Sequence, residues 1–176
     1  MDYLFDKGKP ARGSRFGSVT GTIVDMVPGR AGGRRTDGCI LFVTLEDMDG
    51  RTIVFLLTPS TYVVDFETLC PGMLCTFWYD AEAPIPLIYP PQYNAVAAAR
   101  EKNGRMICVG YFDTSLVNEE QTLQLNLDGS VELRTTNNQY FRGNPGNHNL
   151  VVTYENSTRS IPAQTTPLQV VILCDG

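Results

Sequence analysis

The chain is poor in the residues that most enzymes use for acid–base catalysis and metal binding. Its 176 residues include a single histidine, His148, which lies in the turn-rich stretch NPGNHN. A catalytic triad or a histidine-based metal site would need partners that this sequence barely offers. The GxSxG, P-loop and GxGxxG patterns are missing as well. The sequence therefore predicts a non-enzymatic protein with no catalytic residue, no metal site and no cofactor.

Charged residues and long apolar runs are also scarce. Charged residues make up 19% of the chain and apolar residues 43%, a composition typical of folded rather than disordered proteins. No window approaches the 18 consecutive apolar residues of a membrane span. The N-terminal stretch MDYLFDKGKPARGSRFG lacks the apolar core of a signal peptide. We expect a cytoplasmic protein without a membrane segment.

The cysteines do not follow a metal-binding pattern. There are five, Cys39, Cys70, Cys75, Cys108 and Cys174, and no two have the CxxC spacing of a structural zinc site. An odd number of scattered thiols is typical of a reducing compartment, where disulfides are rare. We expect all five to be buried free thiols.

Short strand-like stretches separated by turns fill the first part of the chain. The sequence predicts five strands there, at 19–27, 39–47, 51–57, 73–81 and 93–100. The pair Asp49-Gly50 favours a tight hairpin between the second and third strands. Apolar residues at helical spacing after Pro59 predict one or two turns of helix within 58–72.

This order of elements resembles the OB-fold, a five-stranded Greek-key barrel with a helix between its third and fourth strands. The resemblance covers about residues 15–102 and rests on the element order, on Gly21 as a bulge residue in the first strand, and on the Asp49-Gly50 hairpin. It implies a ligand face on the second and third strands, flanked by the loops after the first and fourth. The phrases LIYPPQY and TRSIPAQTTP are similar to uncharacterised two-domain β proteins of Gram-positive anaerobes. That similarity implies a bacterial source and no known activity.

A second β-rich block follows the polar turn EKNGR at 101–105. It contains strand patterns at 106–113, 149–156 and 168–174, and a hairpin is expected over 122–136 with its turn at Asp128-Gly129. The predicted organisation is an N-terminal tail (1–15), a barrel (16–102) and a small β domain (103–176). The fold class is mainly β: an OB-like five-stranded Greek-key barrel with one short helix, followed by a small all-β domain.

Two loops of the predicted barrel carry the candidate ligand-binding residues. The loop after the first strand holds Arg30, Arg34 and Arg35, which are able to bind phosphates. The loop after the fourth strand, 82–92, has four of the eleven prolines within eight positions. Aromatic residues in or beside it could stack on bases or sugars; these are Trp78, Tyr79, Tyr89 and Tyr93. We expect the two loops to stand at opposite lips of one groove.

Both loops have a plainer interpretation. The arginines would keep a glycine-rich loop solvated, and Ile85, Leu87 and Ile88 would pack against a protein surface. Alternation also places Trp78 on the opposite face of its strand from Phe77 and Tyr79, so part of this aromatic cluster belongs to the core.

Two main functional hypotheses follow. The first is a non-enzymatic binding module for single-stranded nucleic acid or an oligosaccharide. The second is a structural or interaction protein that uses loops 82–92 and 158–167, with a protein partner or self-association through Ile85, Leu87 and Ile88. An enzyme of unrecognised type comes third.

Overall fold

The structure, a computed structural model, describes residues 15–31, 34–35 and 38–174. Half of the chain is β-strand and 2% is helix, which confirms the predicted mainly β fold class. Internal contacts divide it into two compact units, with Phe16–Glu101 in the first and residues 102–174 in the second. Within the described residues, no helix is long and apolar enough to cross a membrane.

Five strands of the first unit close into a mixed barrel. They are β1 (Phe16–Pro28), β4 (Leu41–Asp47), β5 (Thr52–Leu57), β7 (Leu74–Asp80) and β8 (Gln92–Arg100). Three short strands stand beside them: β2 (Arg30–Ala31), β3 (Arg34–Arg35) and β6 (Tyr62–Val63). The cyclic order is β1-β4-β5-β8-β7 and back to β1, and only the β5–β8 pair of this ring is parallel. The predicted fifth strand is confirmed as β8.

The first strand lies in the middle of the sheet, between β4 and β7, whereas the β5–β8 pairing closes the barrel. Gly21 lies opposite Asp47 of β4 and also opposite Cys75 of β7. A Cβ atom at Gly21 would lie 2.6 Å from the backbone oxygen of Glu46, closer than real Cβ contacts come. Glycine is therefore required where β1 passes Glu46 of β4. The β1–β4 register shifts just beyond this point, between Ile23 and Asp25, and this irregularity bends the strand.

The predicted hairpin between β4 and β5 is confirmed. The two strands pair antiparallel from Leu41–Leu57 to Glu46–Thr52. The Oδ1 atom of Asp47 accepts hydrogen bonds from the backbone N–H groups of Asp49 and Arg51, each at 2.9 Å. Gly50 takes the positive φ of 78° that the turn requires.

The interior of the barrel is packed by alternate residues of all five strands. Phe55 and Phe77 are fully buried and stack with ring centroids 5.0 Å apart. Around them lie further buried side chains, namely Val19, Ile23, Val43, Leu45, Ile53, Leu69, Cys75, Tyr79, Ala95 and Ala98. Along β4, β5 and β7 the inward residues follow the period of two of a β-strand, whereas Ala95 and Ala98 of β8 are three apart beside an irregularity in the β7–β8 register.

The short helix expected within 58–72 is reduced to one 3-10 turn, Val64–Phe66. The hydroxyl of Thr61 donates to the backbone oxygen of Ala95 at 2.8 Å, and β6 then pairs parallel with β8. Asp65 and Phe66 both have positive φ, which an α-helix does not allow. Pairing with β8 therefore overrides the helical spacing of the apolar residues.

The second unit is built on a four-stranded sheet with a separate two-stranded pair. The sheet strands are β9 (Met106–Phe112), β11 (Glu132–Thr135), β12 (His148–Tyr154) and β14 (Gln169–Leu173), in the order β11-β14-β12-β9. The pair consists of β10 (Leu123–Leu125) and β13 (Ala163–Thr165). Their common core contains Phe112, Leu123, Leu125, Leu150, Val152, Val170 and Ile172.

The hairpin predicted over 122–136 is wrong. A turn is present, because the N–H of Val131 donates to the backbone oxygen of Asp128, but the strands on its two sides do not pair with each other. β10 pairs parallel with β13, and β11 pairs parallel with β14. The Asp-Gly pair predicts only the local turn, whereas the strands that pair with β10 and β11 lie more than thirty residues further along the chain.

Candidate functional site

The proline-rich segment forms a loop from β7 to β8 that is tied down at both ends. At its start, the Oδ1 atom of Asp80 accepts from the N–H of Glu82 at 2.9 Å, and the backbone oxygen of Asp80 accepts from the N–H of Ala83. At its end, the N–H of Val54 donates to the backbone oxygen of Pro91 at 2.9 Å. Proline also fixes φ at several positions between these ties. The loop between them, residues 81–91, therefore presents a defined surface.

The middle of this loop exposes three consecutive large apolar side chains. Leu87 is 96% exposed, Ile88 47% and Tyr89 70%; we call residues 87–89 the crest. Ile85 is half-buried at the foot of the loop. Isolated apolar residues are normal on protein surfaces, but a contiguous exposed group is typical of interaction sites.

A cavity of about 70 Å³ lies beneath the foot of the loop, and we call it the loop cavity. Tyr79 and Tyr93 contribute to its wall; their rings stack with centroids 4.1 Å apart and planes inclined by 24°. Polar side chains also take part in the wall, among them Asp80, Gln92 and Asn94. The remaining lining residues are Leu56, Ala83, Pro84, Ile85 and Val96.

Both tyrosines of the loop cavity are held in the neutral form. Burial, and secondarily the neighbouring Tyr93, raise the pKa of Tyr79 to about 12. Burial also raises the pKa of Tyr93. At neutral pH both phenols are therefore uncharged.

The structure brings only some of the predicted ligand-binding residues together. Tyr93 lines the loop cavity and Tyr89 lies on the crest. Trp78 lies on the other face of β7 from Tyr79 and is only 8% exposed. The backbones of Arg30 and Arg35 pair in a small hairpin, β2 with β3, which also contains Arg34. The side chains of the three arginines lie outside the described part of the structure.

The sequence prediction missed four residues that line the loop cavity: Leu56, Asp80, Asn94 and Val96. Alternation in FWYD placed Tyr79 on the same face as Phe77 without deciding which face is the core, and nothing local indicated that Tyr93 would stack on Tyr79. The parallel register that sets Leu56 opposite Asn94 brings the cavity wall together. In the sequence, the one indication of this cavity was the polar residues that flank the proline loop.

The outward face of β4 and β5, where the OB-fold resemblance placed a ligand, is mixed in character. Phe42 lies opposite Leu56, and Thr44 lies opposite Val54. A Cβ atom at Gly29 would come within 2.5 Å of the Phe42 ring, so the glycine lets the start of the arginine loop pass close over this ring. Neither Leu41–Asp47 nor Thr52–Leu57 contains a basic residue, so these two strands themselves supply no cation for a phosphate.

Among the described residues, a second concavity is very small and no metal-binding cluster is found. A second concavity beside the β4–β5 turn, lined by Asp47, Arg51 and Tyr93 among others, measures about 10 Å³, room for roughly one water molecule. Among the residues that the structure describes, no group of three or more His, Cys, Asp or Glu side chains could hold a metal ion.

Comparison with known proteins gives no assignment. The sequence matches no protein-family model and no curated protein. Any functional conclusion therefore rests on the loop itself.

Proposed function

We propose that the first unit is an OB-type barrel that acts as a non-enzymatic binding module. What supports the OB assignment is the cyclic pairing, in which the first strand lies between the second and fourth and the fifth runs parallel to the third. The proline loop joins the fourth and fifth barrel strands, the position from which OB-folds contact ligands. We also propose that the chain is related to the two-domain β proteins of Gram-positive anaerobes.

The partner is a protein segment that docks on the crest. The observation that carries this is the exposure of Leu87, Ile88 and Tyr89 on a loop anchored at both ends. A loop held in one shape loses little conformational entropy on binding, so its apolar area contributes more fully to affinity. An apolar anchor surrounded by polar residues is also the usual composition of a protein-binding site.

Selection of peptides from a displayed random library on the immobilised full chain tests this function. Enriched peptides would be synthesised, and their dissociation constants measured by calorimetry against the native chain and a Leu87→Ser/Ile88→Ser variant. We expect micromolar binding that the double substitution weakens at least tenfold, because burying two such side chains contributes about 3 kcal/mol or more.

Met48→Ser is the matched control, because Met48 is 85% exposed in the turn between β4 and β5 and does not belong to the loop. It should leave peptide affinity unchanged. The proposal is contradicted when the selected peptides bind the crest variant as tightly as the native chain. It is contradicted equally when the Met48 and crest variants lose the same affinity.

An oligosaccharide is the second candidate ligand, favoured by the exposed ring of Tyr89 and by the hydrogen-bonding side chains of Asp80, Gln92 and Asn94. A sugar would bind with little salt dependence. Binding of single-stranded nucleic acid would depend on the arginine loop. Residues 38–176 carry fifteen acidic and seven basic side chains, so their electrostatic field opposes the binding of a polyanion. Steep salt dependence of oligonucleotide binding would favour that class instead.

We also infer a cytoplasmic location. All five cysteines are free, which suits a reducing compartment. Detection of the native chain in the cytosolic fraction of its source cells, with its thiols titratable without reduction, is the direct test.

A further inference from the structure

We propose that Tyr140 of the second unit stacks on a purine base, and that Arg142 binds a phosphate attached to the sugar of that base. The observation that carries this inference is the position of the Tyr140 ring, which lies against Arg134 on one face and is largely exposed. The ligand could come from a free nucleotide or from a single strand of nucleic acid. Because the site belongs to a different unit from the crest, it does not rest on the proposed function.

Arg134 and Tyr140 lie directly opposite each other in a short antiparallel bridge beside β11. The backbone hydrogen bonds of this hairpin are made by the residues on either side of the two. They therefore form a non-hydrogen-bonded pair, the kind in which opposite side chains approach most closely. The guanidinium carbon of Arg134 lies 4.0 Å from the centre of the Tyr140 ring, which is the geometry of a cation–π contact.

The ring has a fixed support because Arg134 is held by other groups as well. One terminal nitrogen of its guanidinium donates to the backbone oxygen of Asn138 at 3.3 Å, and its Nε lies 3.7 Å from a carboxylate oxygen of Glu132. The Arg134 side chain is only 18% exposed, whereas Tyr140 is 64% exposed. An aromatic ring that is held in place before binding loses little conformational entropy when a ligand stacks on it.

The cation behind the ring selects the kind of group that stacks on its open face. Both faces of a tyrosine ring are negative, and the guanidinium of Arg134 draws the π electrons towards its own side. The open face of Tyr140 is therefore less negative than that of an isolated tyrosine. Cations and the C–H groups of sugars lose attraction for such a face, whereas a flat, electron-rich base gains it. Purines offer the largest stacking area among the bases.

Arg142 supplies a positive charge for a phosphate beside the stacked base. It is exposed and lies two positions after Tyr140, and residues two apart in an extended chain point to the same side. The stretch 133–154 contains two arginines and no aspartate or glutamate. An arginine in such surroundings attracts a phosphate and can donate to two of its oxygens at once.

The first measurement is an NMR titration of the ¹⁵N-labelled full chain with adenosine 5′-monophosphate at constant ionic strength. Ribose 5-phosphate is the matched probe, because it has the same sugar and phosphate but no base. We expect saturable shifts of the Tyr140, Phe141 and Arg142 amide signals, with a dissociation constant of about 1–10 mM for the nucleotide. Ribose 5-phosphate should bind at least about fivefold more weakly, because it cannot stack.

Substitutions at two residues locate the binding. Tyr140→Ala removes the ring, so nucleotide affinity should fall at least about fivefold, while Tyr140→Phe keeps the ring and should retain the affinity. Arg142→Gln should weaken binding of the nucleotide about threefold or more and leave that of adenosine, which has no phosphate, unchanged. Tyr89→Ala is the control, because Tyr89 is an exposed tyrosine of the first unit, and it should leave the affinity unchanged.

An oligoadenylate of eight nucleotides distinguishes the two sources of the ligand. If the source is a single strand, the oligonucleotide should bind at least about tenfold more tightly than the monophosphate, with an affinity that falls steeply as salt is added. If the source is a free nucleotide, the two affinities should be similar when counted per base.

Equal affinity for adenosine monophosphate and ribose 5-phosphate, or no saturable shift at about 100 mM, would overturn the inference. So would nucleotide binding that Tyr140→Ala and Tyr89→Ala weaken to the same degree. Tighter binding of a neutral methyl glycoside than of the nucleotide would assign the ring to a sugar instead of a base. None of these results depends on peptides that bind the crest, so the proposed function is tested separately.

Discussion

Tyr79 and Tyr93 stack with centroids 4.1 Å apart although fourteen positions of sequence and the whole proline loop separate them. Each belongs to a barrel strand that borders the loop, and each also contacts Phe55 of the barrel core at about 6 Å between centroids. The two strands that border the loop are therefore tied to the packed interior, and the shape of the loop depends on the stability of the barrel.

The first unit should lose stability in alkaline solution because of Tyr79. Its pKa is raised from 10.0 to about 12 when folded, while the unfolded chain ionises near 10. The neutral form therefore stabilises the fold below pH 10, and this contribution is lost as the pH rises towards 12. The full shift corresponds to about 3 kcal/mol. Urea unfolding at several pH values, followed by Trp78 emission, should show a flatter alkaline decline for Tyr79→Phe.

Tyr89→Phe controls for the loss of a phenol, because Tyr89 is exposed on the crest. This variant should retain the alkaline decline of the native chain. An identical pH dependence in Tyr79→Phe and the native chain would show that Tyr79 does not carry the effect.

Gly21→Ala should destabilise the barrel by about 1–3 kcal/mol. The added methyl group would meet the backbone oxygen of Glu46 at 2.6 Å, and a backbone atom cannot move aside as a flexible side chain can. Because Trp78 is the single tryptophan and belongs to β7, its emission reports unfolding of this unit. Gly110→Ala, where a Cβ atom meets nothing within 4 Å, should leave that transition in place. A native-like midpoint for Gly21→Ala would mean that β1 can shift its register.

The five cysteines should divide into two reactivity classes. Cys39, Cys70 and Cys174 are exposed, so the expectation that all five thiols are buried is wrong for these three. Burial raises the pKa of Cys75 to about 11 and that of Cys108 to about 12, so at pH 8 roughly a thousandth of either thiol, or less, is thiolate.

Alkylation with iodoacetamide at pH 8, read by peptide mass spectrometry, should modify the exposed three at least tenfold faster. The same reaction in denaturant is the control, and there all five rates should converge. Modification of Cys75 or Cys108 at the rate of the exposed thiols in the native chain would contradict the burial of those sites.

Asn118 should be a key residue for the stability of the second unit. Its Oδ1 atom accepts from the N–H groups of Thr122 and Leu123, both at 2.9 Å, and its Nδ2 donates to the Thr122 hydroxyl. Asn118→Ala leaves these backbone donors without a partner in a buried site, which costs about 2–4 kcal/mol. Chemical denaturation followed by circular dichroism gives the loss.

Asn118→Asp is the comparison, because it keeps the oxygen that accepts from both N–H groups; it loses the donated bond and adds a charge that these two donors stabilise. It should cost less than the alanine change. An alanine variant as stable as the native chain, or less affected than the aspartate one, would show that water replaces these bonds at no cost.

The local sequence was sufficient for the strands of the barrel and for one of its turns. Alternation along β7 placed Phe77 and Tyr79 on one face, which the structure shows to be the core face, and Asp49-Gly50 joined two neighbouring strands. Both signals act over a few residues, through the pleat of the strand and the positive φ of glycine. The same kind of signal was wrong at Asp128-Gly129 and over 58–72, where distant strands compete for the same backbone groups.

The sequence by itself determined which residues favour extended backbone, which positions bend, and that an apolar proline-rich loop must join two barrel strands. Tertiary structure alone decided the parallel pairing of β5 with β8 and of β10 with β13. That pairing sets Leu56 beside Asn94, and the stacking of Tyr93 on Tyr79 completes the loop cavity. The physical reason is that strand partners far apart in the chain are selected by the burial and hydrogen bonding of the complete sheet, which no short stretch of sequence contains.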